Sequence, residues 1–236
     1  MAKLVTMPPV AVSSAELAKF GVTWTSNGGH LSRTPPQSSG ELGKLFDVAV
    51  GTALSAMLGR IPIEIPSSTI LIPSKPDCVE VGPVRIIGGV RPQNFDVGYR
   101  PDGVRFAYDS KTLNDAKSVG KNWQNMINDL ATEATTVHSR FPHAVVAFMV
   151  IVPEPCLGEP QRSAMVETLE RLARRQRVED SDYMAEAISL IIWNPDDGSI
   201  SSSIPAAESP LRIEKFSLQV ETAYVSRYKG LPPHAA

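Results

Sequence analysis

The chain has 236 residues, with 42% hydrophobic and 20% charged side chains and a formal net charge of -2. That describes an ordinary folded protein rather than a disordered one, and it gives no global electrostatic footprint for nucleic acid, so a DNA partner needs a local basic patch. Two distant cysteines, Cys78 and Cys156, and four histidines lack metal-ligand spacing, which argues against a disulfide framework or a zinc site and for buried reduced thiols. There is no signal-peptide pattern at the start, and the longest apolar run, residues 144–152, is too short to span a bilayer. The expectation is a cytoplasmic protein with no membrane partner.

In chain order, residues 13–20 predict a short helix. Residues 21–40 are rich in Gly, Ser, Thr and Pro and read as a long loop or arm carrying Trp24, His30 and Arg33, either a plain surface loop or an arm that touches a ligand or partner. Residues 41–58 place Leu42, Leu45, Phe46, Ala49, Ala53, Leu54 and Met57 at helical spacing. Ser38 and Glu41 fit a capping box at its start. A Pro-punctuated stretch follows, with strand candidates at 69–72 and 84–90.

Residues 95–100 and 104–111 alternate apolar and polar around Asp102-Gly103, a strong hairpin signal. A two-residue loop sets Asp96 opposite Asp109; a three-residue loop including Pro101 pairs Asp96 with Tyr108 and turns it to the wrong face. In the first register two carboxylates and the Lys111 ammonium converge. Mg²⁺ takes a few carboxylate oxygens plus water and substrate phosphate, and a neighbouring Lys can help deprotonate or orient a water and offset developing charge. The Ser110 carbonyl is a further candidate ligand.

Residues 118–140 predict a second helix, 144–152 a strand buried on both faces, 161–178 an amphipathic helix and 187–193 another buried strand. Residues 194–210 read as loop, 213–228 as a closing helix, and the tail from Leu231 as frayed. The cluster Arg171, Arg174, Arg175 and Arg177 is interleaved with acids and reads as a solvated helix face. The order predicts an α/β fold, a mixed central sheet flanked by helices, with no internal domain boundary across 1–236.

Asp96, followed at a distance by Asp109-Ser110-Lys111, resembles the PD-(D/E)xK nuclease superfamily, to which most type II restriction endonucleases belong. The core at about 41–193 follows that family's element order, leaving 1–40 as helix and arm and 194–236 as an extension. The triplet itself is unspecific and recurs at Asp115-Ala116-Lys117, and Pro101-Asp102 is a decoy in the turn; the residue before Asp96 is Phe95 rather than the family's Pro. The resemblance implies a restriction-endonuclease-like core and Mg²⁺-dependent cleavage of double-stranded DNA. In that reading Asp96 and Asp109 hold the metal, Lys111 assists the water, and an acid of the first helix, here Glu41, joins the site. The cap and the metal-site role of Glu41 both stand open.

Lys117, Lys121 and Gln124 near the start of the second helix, together with Arg33, are candidate DNA contacts; solvated side chains are the alternative for the two lysines. The leading expectation is a sequence-specific type II restriction enzyme acting as a homodimer on a palindromic site. A repair or anti-phage nuclease subunit and a non-catalytic DNA-binding protein of the same fold are the alternatives.

Overall fold

The computed structural model describes residues 4–67 and 71–234. It is an α/β structure with one six-stranded mixed sheet, in the order β1-β2-β3-β4-β5-β6. The strands are β1 (Ile63–Glu64), β2 (Val79–Ile87), β3 (Pro92–Tyr99), β4 (Phe106–Thr112), β5 (Val145–Pro153) and β6 (Ala187–Trp193). β2, β3 and β4 form an antiparallel meander, while β5 and β6 add in parallel to β4. The helices are α1 (Ser14–Ser26), α2 (Ser39–Met57), α3 (Val119–His138), α4 (Glu159–Leu172) and α5 (Ile213–Tyr228).

Every residue of β5 and β6 is buried, as continuous Val, Ile, Leu and aromatic runs require of parallel strands covered on both faces. Successive residues of β4 point to opposite faces, and that alternation sorts the helices. Gly43 of α2 lies against Ser110, and Phe216 of α5 packs edge-on to Tyr108, with ring centroids 6.2 Å apart. α2 and α5 therefore cover the Tyr108/Ser110 face. Glu133 of α3 meets Lys111 on the other face, where α3 and α4 contact one another.

Several expected boundaries move. α1 continues to Ser26, so only residues 27–38 remain as the arm, and Trp24 is a buried helix residue rather than a loop aromatic. β2 begins at Val79 and carries an irregularity between Val81 and Val84, across Gly82-Pro83, because Pro cannot donate to a ladder. The strand expected at 69–72 falls partly outside the described residues, and Leu71 and Ile72 are not in a strand.

α4 stops at Leu172 instead of 178, and Arg175 is not on a solvated face: it is 2% exposed. Its guanidinium turns inward to Glu186 (3.1 Å) and donates to the carbonyls of Pro142, Val178 and Asp180. These bonds compensate a buried charge, and they hold the chain off the helical path that periodicity alone implies. Arg227 of α5 and His138 of α3 also reach Glu186, at 2.8 and 3.3 Å. The tail is docked rather than frayed as far as His234, which is 2% exposed and hydrogen-bonded through Nε2 to the Tyr224 hydroxyl at 2.7 Å. Cys78 and Cys156 are both buried free thiols. Among the described residues no helix is long and apolar enough to cross a membrane.

Candidate active site

The hairpin register decides whether a site exists. β3 and β4 pair Tyr99 with Phe106, Gly98 with Ala107 and Val97 with Tyr108. The next pair in that register sets Asp96 opposite Asp109, the alignment a two-residue Asp102-Gly103 loop requires. The turn itself differs: the strands end at Tyr99 and Phe106, and residues 100–105 form a wider loop. Gly103 has φ +120°, while Asp102 has no positive φ, so the two-residue type I′ turn is not formed. Two buried arginines open the loop. Arg100 forms a forked pair with Glu80 at 2.7 and 2.8 Å, and Arg105 pairs with Asp102. Pairing two buried guanidiniums with carboxylates outweighs the tight turn.

Beyond Val97 and Tyr108 the ladder stops, and the Asp96 carboxylate fills the gap. Its Oδ2 accepts hydrogen bonds from the Ser110 amide at 2.9 Å and the Ser110 hydroxyl at 3.0 Å, and the Asp109 carboxyl is near enough to shift its pKa. Leu113 donates to Ile151 of β5, so odd-numbered residues of β4 bond toward β5 and even-numbered ones toward β3. An extended residue turns its N–H and C=O to the same side, so the Ser110 carbonyl faces the gap beside Asp96.

Lys111 Nζ is shared between Asp109 and Glu133, with 2.7 Å to Glu133 Oε1. Glu133 is 4% exposed, and its other oxygen, Oε2, is buried without a hydrogen-bond partner. On the opposite face Asp47 of α2 is 6% exposed, lies beside the Ser110 side chain, and leaves its Oδ1 buried without a partner. Gly43, one turn earlier on α2, makes this approach possible: a Cβ there would sit 2.9 Å from Ser110 Oγ.

Four buried or half-buried carboxylates thus gather along Ser110 and Lys111, and two of them, Asp109 and Glu133, hold the ammonium. Burial, then the hydrogen bond and charge of Asp109, push Asp96 up to about 7. Burial, then the charge of Asp96, push Asp47 up to about 8 against the pull of Ser110 and Lys44. Burial raises Asp109 to about 6, against its bond to Asp96 and the charge of Lys111. Burial opposes the charge on Lys111, but Asp109 and Glu133 outweigh it and hold the ammonium firmly protonated. Carboxylates crowded beyond the available cations hold protons or gather a cation.

Among the described residues, no three His, Cys, Asp or Glu side chains form a ready-made cation cage. Mg²⁺ asks for less: one or two carboxylates, with water and substrate phosphate completing the octahedron. Asp96 and Asp109, with the Ser110 carbonyl beside them and the unpartnered Asp47 oxygen on the α2 side, fit that requirement.

Glu41 does not join the group. Its Oε2 accepts from the Ser38 amide at 3.0 Å, and its own amide donates to Ser38 Oγ at 3.3 Å, completing the capping box. Asp47 is the α2 acid beside the site, and Glu133 was likewise not anticipated. Both interrupt apolar faces. Asp47 shares its face with Gly43, Val50, Gly51 and Leu54, and Glu133 with Met126, Leu130 and Val137, all buried. A charge inside an apolar stripe was the available signal.

Arg33 and His30 lie on the arm and line a cavity of about 450 Å³ with Thr112, Asn114, Ser118 and Asn122. Asn114 anchors the arm there: it accepts from Leu31 at 3.2 Å and donates to Ser39 at 2.6 Å, while its carbonyl accepts from Trp24 Nε1 at 2.7 Å. Lys117, Lys121 and Gln124 are exposed and do not line this cavity. Asp115 of the second triplet accepts from the Lys117 amide at 2.9 Å, as a turn residue does. Comparisons with family models, curated proteins and solved structures find no match for this chain.

Proposed function

We propose that the chain is a Mg²⁺-dependent DNA endonuclease with a restriction-endonuclease-like core. The observation that carries the reading is the register that sets Asp96 opposite Asp109 at the end of the β3–β4 ladder, with Lys111 on one of the pair and Ser110 on the other. An acid from the first core helix, Asp47 rather than Glu41, stands beside them.

In this reading Asp96, Asp109 and the Ser110 carbonyl hold the cation, with Asp47 completing the acidic side. Bound there, Mg²⁺ neutralises charge on the phosphoryl group and lowers the pKa of a water. Lys111 keeps its proton, so it orients the water and donates to the phosphoryl oxygens rather than serving as general base. Ser110 fixes the Asp96 carboxylate, and Glu133 limits where the ammonium can go. Arg33 supplies a cationic group, and His30 a ring nitrogen, for a DNA backbone beside the scissile position. Two copies of the chain, related by a two-fold, would cut both strands of a palindromic site as a type II restriction enzyme does.

The test is incubation with mixed plasmid and phage DNA, with Mg²⁺ or a chelator, repeated with Lys111→Ala. Discrete fragments that need Mg²⁺ and vanish in the variant support a sequence-specific endonuclease. Smearing points instead to a repair or anti-phage nuclease, and DNA binding without cutting sinks the enzymatic reading.

A further inference from the structure

Lys111 raises a geometric problem for the site as described. Its ammonium rests on Asp109, one of the two carboxylates assigned to the cation. Two cations cannot share that oxygen without strong repulsion. The ammonium therefore has to leave Asp109 when a divalent cation arrives, yet remain near the reacting phosphate.

Glu133 offers the place. It already takes one hydrogen bond from Lys111 Nζ, at 2.7 Å to Oε1. Its second oxygen is buried and has no partner. A buried carboxylate oxygen without a donor is costly, and an ammonium carries three donors, enough to bond both oxygens at once. Glu133 comes from α3, whereas Asp96 and Asp109 come from β3 and β4, so its carboxylate need not move when the pair takes up a cation.

We propose that Glu133 is a positioning residue: it receives the Lys111 ammonium displaced from Asp109 by a divalent cation and holds it toward the substrate. This rests on the reading of Asp96 and Asp109 as the cation site. Lys111 is then a built-in competitor of the metal in the free protein, and Glu133 sets the strength of that competition. With Glu133 intact, the ammonium leaves Asp109 easily. Without it, the ammonium stays on Asp109 and the cation binds less well.

The experiment measures Mn²⁺ affinity of the full chain by calorimetry, with no DNA present, for the wild type, Glu133→Gln, Lys111→Met and the double variant. Outer partners of metal ligands typically change affinity by about 10–100-fold, and Glu133→Gln is expected to weaken binding in that range. The deciding comparison is the double variant: with Lys111 already removed, Glu133→Gln should change affinity less than about twofold. An equal loss in both backgrounds means that Glu133 acts only as a distant negative charge, and overturns the proposal while leaving the cation site standing. No Mn²⁺ binding by the wild type overturns the cation site and the proposal together. Glu133→Asp, which keeps the charge, serves if Glu133→Gln does not fold and should lose less affinity. As a second readout, the slowly exchanging Lys111 ammonium signal in ¹⁵N NMR should persist on adding Mg²⁺ to the wild type and be lost in Glu133→Gln.

Discussion

Ser110 donates twice to a single oxygen of Asp96, once from its amide and once from its hydroxyl. The side-chain bond replaces the ladder bond that β3 would have supplied, so the splayed strand end stays satisfied. Ser110→Ala keeps the amide bond and removes the hydroxyl that donates to Asp96 and lies beside Asp47. It should cost about 1 kcal/mol, read by urea denaturation, and should weaken cation binding because Asp96 is less firmly held.

The three aspartates give a pH dependence with a definite sign. Asp47, Asp96 and Asp109 rise from 3.8 to about 8, 7 and 6, so the native state holds their protons more tightly than the unfolded chain does. Their contribution to stability is complete below the unfolded value and is lost as pH rises through the folded values. Each group contributes a slope of up to roughly 1.4 kcal/mol per pH unit within its window. Between pH 4 and 8 the cation-free protein should therefore lose stability from this site. Asp47→Asn should flatten the upper part of that decline, and Mg²⁺ should restore stability most at pH 8. Urea midpoints at pH 5 and 8, with Mg²⁺ and with chelator, test both statements.

Gly43 is where α2 comes down onto the site. Gly43→Ala puts a methyl 2.9 Å from Ser110 Oγ, and such overpacking costs about 1–3 kcal/mol. Gly51→Ala, 2.3 Å from Val81 Cγ2 on the same helix, is the control. Both should lower the denaturation midpoint, but only Gly43→Ala should lower Mg²⁺ affinity.

The buried group of Arg175, Arg227, His138 and Glu186 joins three helix ends to the sheet away from the aspartates. Glu186→Gln leaves two guanidiniums without their carboxylate and should destabilise by about 3–5 kcal/mol. Cation affinity of the remaining folded protein should not change, as calorimetry below the unfolding temperature would show.

The parallel strands were legible in the sequence because burial on both faces leaves no room for polar residues. Alternation on both strands made two registers of Asp96 and Asp109 legible, and the choice between the two-residue and the three-residue loop stayed open until the pairing of Val97 with Tyr108 decided it. The turn was not: nothing local announces that Arg100 pairs with Glu80 or that Arg105 claims Asp102. The end of α4 was obscured for the same reason, because Arg175 looks like a surface charge until its buried carboxylate is known. Glu41 drew attention as the first acid of its helix, yet a capping box satisfies that position completely. Asp47 and Glu133 become meaningful only once the helices are seen to cover opposite faces.

Asp47, Ser110, Asp96, Asp109, Lys111 and Glu133 form one continuous line of polar contacts that passes from α2 through the sheet to α3. The ends of this line come from helices separated in the chain by the whole meander. The line is complete only when both helix layers have docked on the sheet. Loosening either helix would break the line at one end, so under the proposed function cation affinity should report whether both helix layers have closed on the sheet.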